Sequence, residues 1–106
     1  MFQLTRKEEQ ILLAITHLAD NAYLITIREQ IAKYTGKTYS VGTIYAPLNR
    51  LHLNGYLTAE SKKTDDTPGA KPVKYYRLTE MGMKALADLK QQQEMMWTGV
   101  VLPNLK

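Results

Sequence analysis

The chain has no cysteine, which excludes a disulfide framework, a thiolate nucleophile and a cysteine-based zinc site. Its histidines, His17 and His52, do not form a pair with metal-ligand spacing, and no glycine-rich phosphate loop follows a strand pattern. The adjacent acids Glu8 and Glu9 are accounted for by helix capping and the helix dipole. No catalytic residue, cofactor or metal is therefore expected, and the chain does not read as an enzyme. No apolar window is long enough to cross a bilayer, and the opening MFQLTRKEEQ lacks the hydrophobic run of a secretion signal, so a cytoplasmic protein is expected.

A second shortage is local. From Gln30 to Ala59 there is no Asp or Glu. The net charge of the whole chain is only +4, but residues 30 to 77 carry eight basic against three acidic side chains, and the remainder carries six against seven. Positive charge is thus gathered in the middle of the chain, as a segment facing a polyanion requires; chance clustering on a solvated face is the plain alternative. At 106 residues the chain supports one domain with a modest core, and pairing with a second copy is expected.

What is present begins with Thr5 and Glu8, a capping box that predicts a first helix carrying Ile11, Leu12, Ile15, Leu18 and Ala19 on one stripe. Residues 19–22 read as its end and the following turn. Tyr23, Leu24 and Ile25 suit a short extended piece, and Thr26 with Glu29 predicts a second helix to about Tyr34, burying Ile27, Ile31 and Tyr34 and stopped by Gly36. Ser40 caps a third helix that ends at Asn54-Gly55, with Val41, Ile44, Leu48 and Leu51 inward. Its opposite arc holds Gly42, Thr43, Ala46, Pro47, Asn49 and Arg50, with Tyr45 at the boundary. Tyr56 to Ser61 and Val73 to Leu78 read as strands joined by KKTDDTPGAKP, a long basic tip. Thr79 then caps a fourth helix to about Trp97, after which Gly99 and Pro103 interrupt it.

This order predicts a mostly α fold with a small β-hairpin: a winged helix-turn-helix over residues 1–79 and a C-terminal dimerisation helix with a short tail over 80–106. In such a fold the third helix enters the DNA major groove. A Glu on its outer arc would oppose phosphates carrying one charge per ~1.7 Å of duplex, and Gly42, Thr43 and Ala46 keep the profile low.

The run SVGTIYAPLNRLHLNGYL, a basic hairpin and then KYYRLTEMGMKAL together resemble the PadR family of bacterial transcriptional regulators from about Leu4 to Trp97. The resemblance implies a homodimeric repressor on a pseudo-palindromic operator, its dimer made by the last helix with help from the first and its wings over the flanking backbone or minor groove. Two departures stand out. Gly69-Ala70-Lys71 replaces the Gly-Gly-Arg common in relatives, exchanging a bidentate fork for a point charge, and Leu24-Ile25 replaces the usual Gly-Tyr before the second helix.

The residues expected to meet double-stranded DNA are Ser40, Gly42, Thr43, Tyr45, Asn49 and Arg50 on the third helix and Lys62, Lys63, Lys71 and Lys74 on the wing, with Arg50 at a phosphate. Asp65 and Asp66 must then point away or cap the turn. Leu86, Leu89, Gln93, Met96 and Trp97, in register with Gly82, approach a coiled-coil seam and are the expected dimer interface. In some PadR relatives an aromatic near the twofold axis lines a drug pocket, so Met95, Met96 and Trp97 are either a site for a small hydrophobic effector or packing of the dimer core. The competing reading is a winged-helix protein-interaction module that never touches DNA, whose mark would be an apolar outer arc on the third helix.

Overall fold

A computed structural model describes residues 3–103. The end of the predicted tail, residues 104–106, lies outside them. The described chain contains helices α1 (Arg6–Leu18), α2 (Leu24–Thr35), α3 (Val41–Leu53) and α4 (Glu80–Trp97), with strands β1 (Leu57–Lys63) and β2 (Pro72–Leu78) between α3 and α4.

Helix α1 starts where its capping box predicts. Thr5 Oγ1 accepts from the backbone N–H of Glu8 at 3.1 Å, and Glu8 Oε1 accepts from the N–H of Thr5 at 2.7 Å. Its stripe buries Ile11, Leu12, Ala14 and Ile15, and one 3-10 turn over Ala19–Asn21 ends it.

Helix α2 begins two residues before the expected Thr26. Thr26 does not cap it but lies in its first turn, where its hydroxyl oxygen accepts from the N–H of Tyr23 at 2.9 Å, so the cap position falls on Tyr23. The expected extended piece shrinks to a single bridge between Tyr23 and Tyr75, beside a bond from the N–H of Tyr76 to the carbonyl of Ala22. Ile27 and Ile31 are buried, but Tyr34 is exposed, its ring 5.3 Å from that of His17 at the rim of the α1–α2 contact. Gly36 stops the helix with φ +73, the left-handed conformation that favours glycine.

The core is formed where α1, α2 and α3 meet the hairpin: Ile11, Leu12, Ile27, Ile44, Leu48 and Leu51 are almost fully buried, and Leu57 and Tyr76 close it from the strands. The strands pair antiparallel from Leu57 opposite Leu78 to Lys63 opposite Pro72. Thr79 joins the hairpin to α4: its hydroxyl donates to the carbonyl of Gly55 and accepts from the N–H of Gly82. Gly82 is buried so tightly that a Cβ there would overlap the carbonyl oxygen of Tyr56. Farther along α4, Leu86 packs on the core and Gln93 Nε2 donates to Glu9 Oε2 of α1 at 2.7 Å. Gly82, Leu86 and Gln93 of the expected seam are thus also engaged inside the subunit. The final turn is not: Met95, Met96 and Trp97 are 69, 70 and 58% exposed, followed by exposed Val100, Val101 and Leu102.

Candidate nucleic-acid interface

Ser40 fixes the start of α3. Its Oγ accepts from the N–H of Thr43 at 3.2 Å and shares a 2.7 Å hydrogen bond with the Thr43 hydroxyl. The first turn stands clear of the core, with Ser40, Val41, Gly42, Thr43, Tyr45 and Ala46 all exposed. Val41, expected inward, lies on the edge of the apolar stripe and is 44% exposed. Pro47 is a second correction. Expected on the outer arc, it is buried beside Ile44, Leu48 and Leu51, so its ring fills core space. It has no N–H to bond the carbonyl of Thr43, and that carbonyl lies in the exposed turn, where solvent can satisfy it; α3 continues through it unbroken.

Gly42 is informative because the fold does not require it. Its φ is not positive, and a Cβ would meet nothing within 4 Å. The recessed surface formed by Gly42 and Ala46 is thus not explained by packing within the chain. Asn49 is partly buried, and Leu53, which the sequence reading passed over, stands 76% exposed at the C-terminal end of the same arc. Arg50 has an intramolecular partner: its Nε donates to Glu8 Oε2 at 2.9 Å, with the Arg50 side chain 48% exposed and Glu8 buried.

Further groups gather near the start of α3, and two of them, Lys7 and Arg28, are not legible in the sequence because they are distant along the chain. Lys7 places its ammonium 3.2 Å from the centre of the Tyr39 ring, and Lys37 lies 5.1 Å from the same ring. The hydrogen bond from Lys7 draws the Tyr39 phenol below its ordinary pKa. Arg28 Nε donates to the carbonyl of Tyr39, tying α2 to the turn that leads into α3.

The hairpin stands beside α3 through Tyr76, whose ring meets His52 edge-on at 6.1 Å. Burial pushes the Tyr76 phenol up. Strand alternation divides the wing lysines. Lys63 and Lys74 share the face of Tyr76, whereas Lys62 lies on the opposite face, its ammonium 4.4 Å from the centre of the Tyr75 ring. Lys71 occupies the tip and is exposed. Asp65 caps the turn: its Oδ1 accepts from the N–H of Thr67 at 2.9 Å, a bond that holds the carboxyl below its usual range.

Grooves of about 520 Å³, lined by Ile15, Ala19, Arg77, Leu78 and Met83, and about 510 Å³, lined by Leu4, Tyr56, Met81 and Leu89, lie away from the Met95–Trp97 end of α4. Among the described residues no cluster of His, Asp and Glu could hold a metal ion, and no helix is long and apolar enough to cross a membrane.

Three helices with a hairpin beside the third and a long helix after it define a winged helix-turn-helix architecture with an appended C-terminal helix. Residues 11–88 match the Transcriptional regulator PadR-like family, and the chain belongs to that family, one of regulators and not of enzymes. It is similar in structure to a PadR family regulator from Eggerthella lenta, at 29% identity and TM-score 0.68, covering 89% of this chain and 80% of that one. A PadR-like regulator from Bacillus cereus gives 25% identity and TM-score 0.69, covering 86% and 84%. RosR of H. salinarum shares the fold at 22% identity and TM-score 0.71, covering 93% and 82%. No curated protein matches the sequence.

Proposed function

We propose that the chain is a sequence-specific DNA-binding repressor that acts as a homodimer on a pseudo-palindromic operator. The observation that carries this reading is the free arc of α3: it has no carboxylate, and Gly42 is recessed where the fold leaves room for a side chain. Ser40, Gly42, Thr43, Tyr45 and Asn49 lie against base edges and the adjoining backbone, Arg50 meets a phosphate, and Lys63, Lys71 and Lys74 follow the flanking strand. Lys62 contributes less, because it turns to the other face of the hairpin.

The exposed apolar end of α4 supports the dimer, since a surface of Met95, Met96, Trp97, Val101 and Leu102 is stabilised when a second copy covers it. The effector reading rests on the same trio of Met95, Met96 and Trp97, and a pocket for a flat hydrophobic molecule there forms between two copies. The protein-interaction reading draws on Val41, Tyr45 and Leu53, exposed apolar side chains spread along a helix surface that otherwise carries Gly, Thr, Ala, Asn and Arg. Titrating the protein with random-sequence and promoter duplexes by fluorescence anisotropy tests the proposal. Binding should weaken steeply with salt, with a slope near −0.9 per phosphate contacted; absent or salt-indifferent binding refutes it.

A further inference from the structure

Glu8 is the buried charged residue among the described residues, at 0% exposure. Its role in the capping box explains neither that burial nor the charge. A capping box uses Glu or Gln equally and works at a helix surface. A buried carboxylate carries a desolvation cost of several kcal/mol that a neutral amide at the same position largely avoids.

The second oxygen supplies the reason. Oε1 takes the Thr5 N–H, and Oε2 takes Arg50 Nε from a residue 42 positions away on α3. The bond joins the first turn of α1 to the second half of the helix whose opposite arc is free. It is charge-assisted and directional, whereas the burial of Ile11, Ile44 and Leu48 in the core is a non-directional contribution. Ion pairs of this kind add little net stability over apolar packing, and their best-attested use is to fix register. Nε is the atom engaged, and the Arg50 side chain remains half-exposed.

We infer that Glu8 is a positioning residue for DNA recognition: through Arg50 it sets the rotation and depth of α3 against α1, and so aims the arc from Ser40 to Asn49. This rests on the proposal that α3 reads DNA. Glu8 touches no DNA itself.

The experiment uses the full chain and a duplex that the wild type selects from a random pool, with a scrambled duplex of the same composition as reference. Glu8→Gln keeps an oxygen for the Thr5 N–H but loses the charge and the second acceptor facing Arg50. The ratio of affinities for selected over scrambled duplex should fall about tenfold, with the salt slope of scrambled-DNA binding unchanged. Arg50→Gln should lower the same ratio, and Glu8→Gln/Arg50→Gln should be no worse than the more severe single variant, because the two act through one another. A merely structural role would lower the melting temperature and weaken both duplexes in proportion, leaving the ratio at its wild-type value; that result overturns the inference. Arg50→Lys, on a half-exposed side chain, gives the same reading if Glu8→Gln does not fold: it keeps the charge but lacks Nε, so the ratio should still fall, and an unchanged ratio counts against the inference. Failure to select any duplex at low salt refutes the DNA reading itself, a result separable from selection with an unchanged ratio.

Discussion

Gly42 and Gly82 lie in helices at ordinary backbone angles, but for opposite reasons. At Gly82 a Cβ has nowhere to go because the carbonyl of Tyr56 occupies its place. Gly82→Ala should therefore destabilise the fold by roughly 2 kcal/mol through forced backbone displacement, read as a lower midpoint in urea. At Gly42 the space is open, so Gly42→Ala should stabilise the free protein by up to about 1 kcal/mol through helix propensity. The same change should weaken binding to the selected duplex, because the added methyl holds α3 off the groove floor. A Gly42→Ala protein that is more stable and binds as well as wild type would remove the reason for the recessed arc. Glycine at position 42 could be read from the sequence as a low profile, but only coordinates separate it from the packing glycine at 82.

At the scale of elements, alternation along the hairpin makes the wing lysines unequal. Lys63→Gln and Lys74→Gln should each lower the salt slope of DNA binding by about one unit, and Lys62→Gln by clearly less. Equal losses at all three would mean that the duplex meets the edge of the hairpin and not the Tyr76 face. The sequence identified the hairpin and its charge, and the register then assigned faces that depended on where Tyr76 is anchored. The capping signals at Thr5, Ser40 and Thr79 predicted three helix starts because each bond is local. The Thr26 signal misled, since its hydroxyl serves the N–H of Tyr23 and the helix starts earlier. Pro47 departs from the outer arc expected for it because burial of its ring beside Ile44, Leu48 and Leu51 decides its side. The partner of Arg50 was not legible, because Glu8 already had a complete explanation in the capping box and nothing local points across 42 residues.

The whole molecule presents two surfaces of opposite character. One is the basic side formed by the acid-free helix α3 and the lysine-bearing hairpin; the other is the apolar end of α4. If a second copy covers the latter, sedimentation equilibrium should report a dimer, and Met96→Glu with Trp97→Glu should shift it to monomer while leaving the helix content unchanged. The dimer should also matter for DNA, since two copies of α3 reach successive major grooves only when held roughly 34 to 36 Å apart. The double variant should lose most of its affinity for a palindromic duplex and little for a single half-site. Retention of a dimer in that variant would place the interface elsewhere on the chain.

The most direct measurement is the change in backbone amide chemical shifts, residue by residue, when the wild-type selected duplex is added to the isotope-labelled protein. The account predicts the largest changes from Val41 to Ala46 and along Lys63, Lys71 and Lys74, with the outer face of α1 and α2 around Leu13 and Tyr34 little affected. Changes confined to that outer face or to the end of α4, with residues 41 to 46 unmoved, would contradict it.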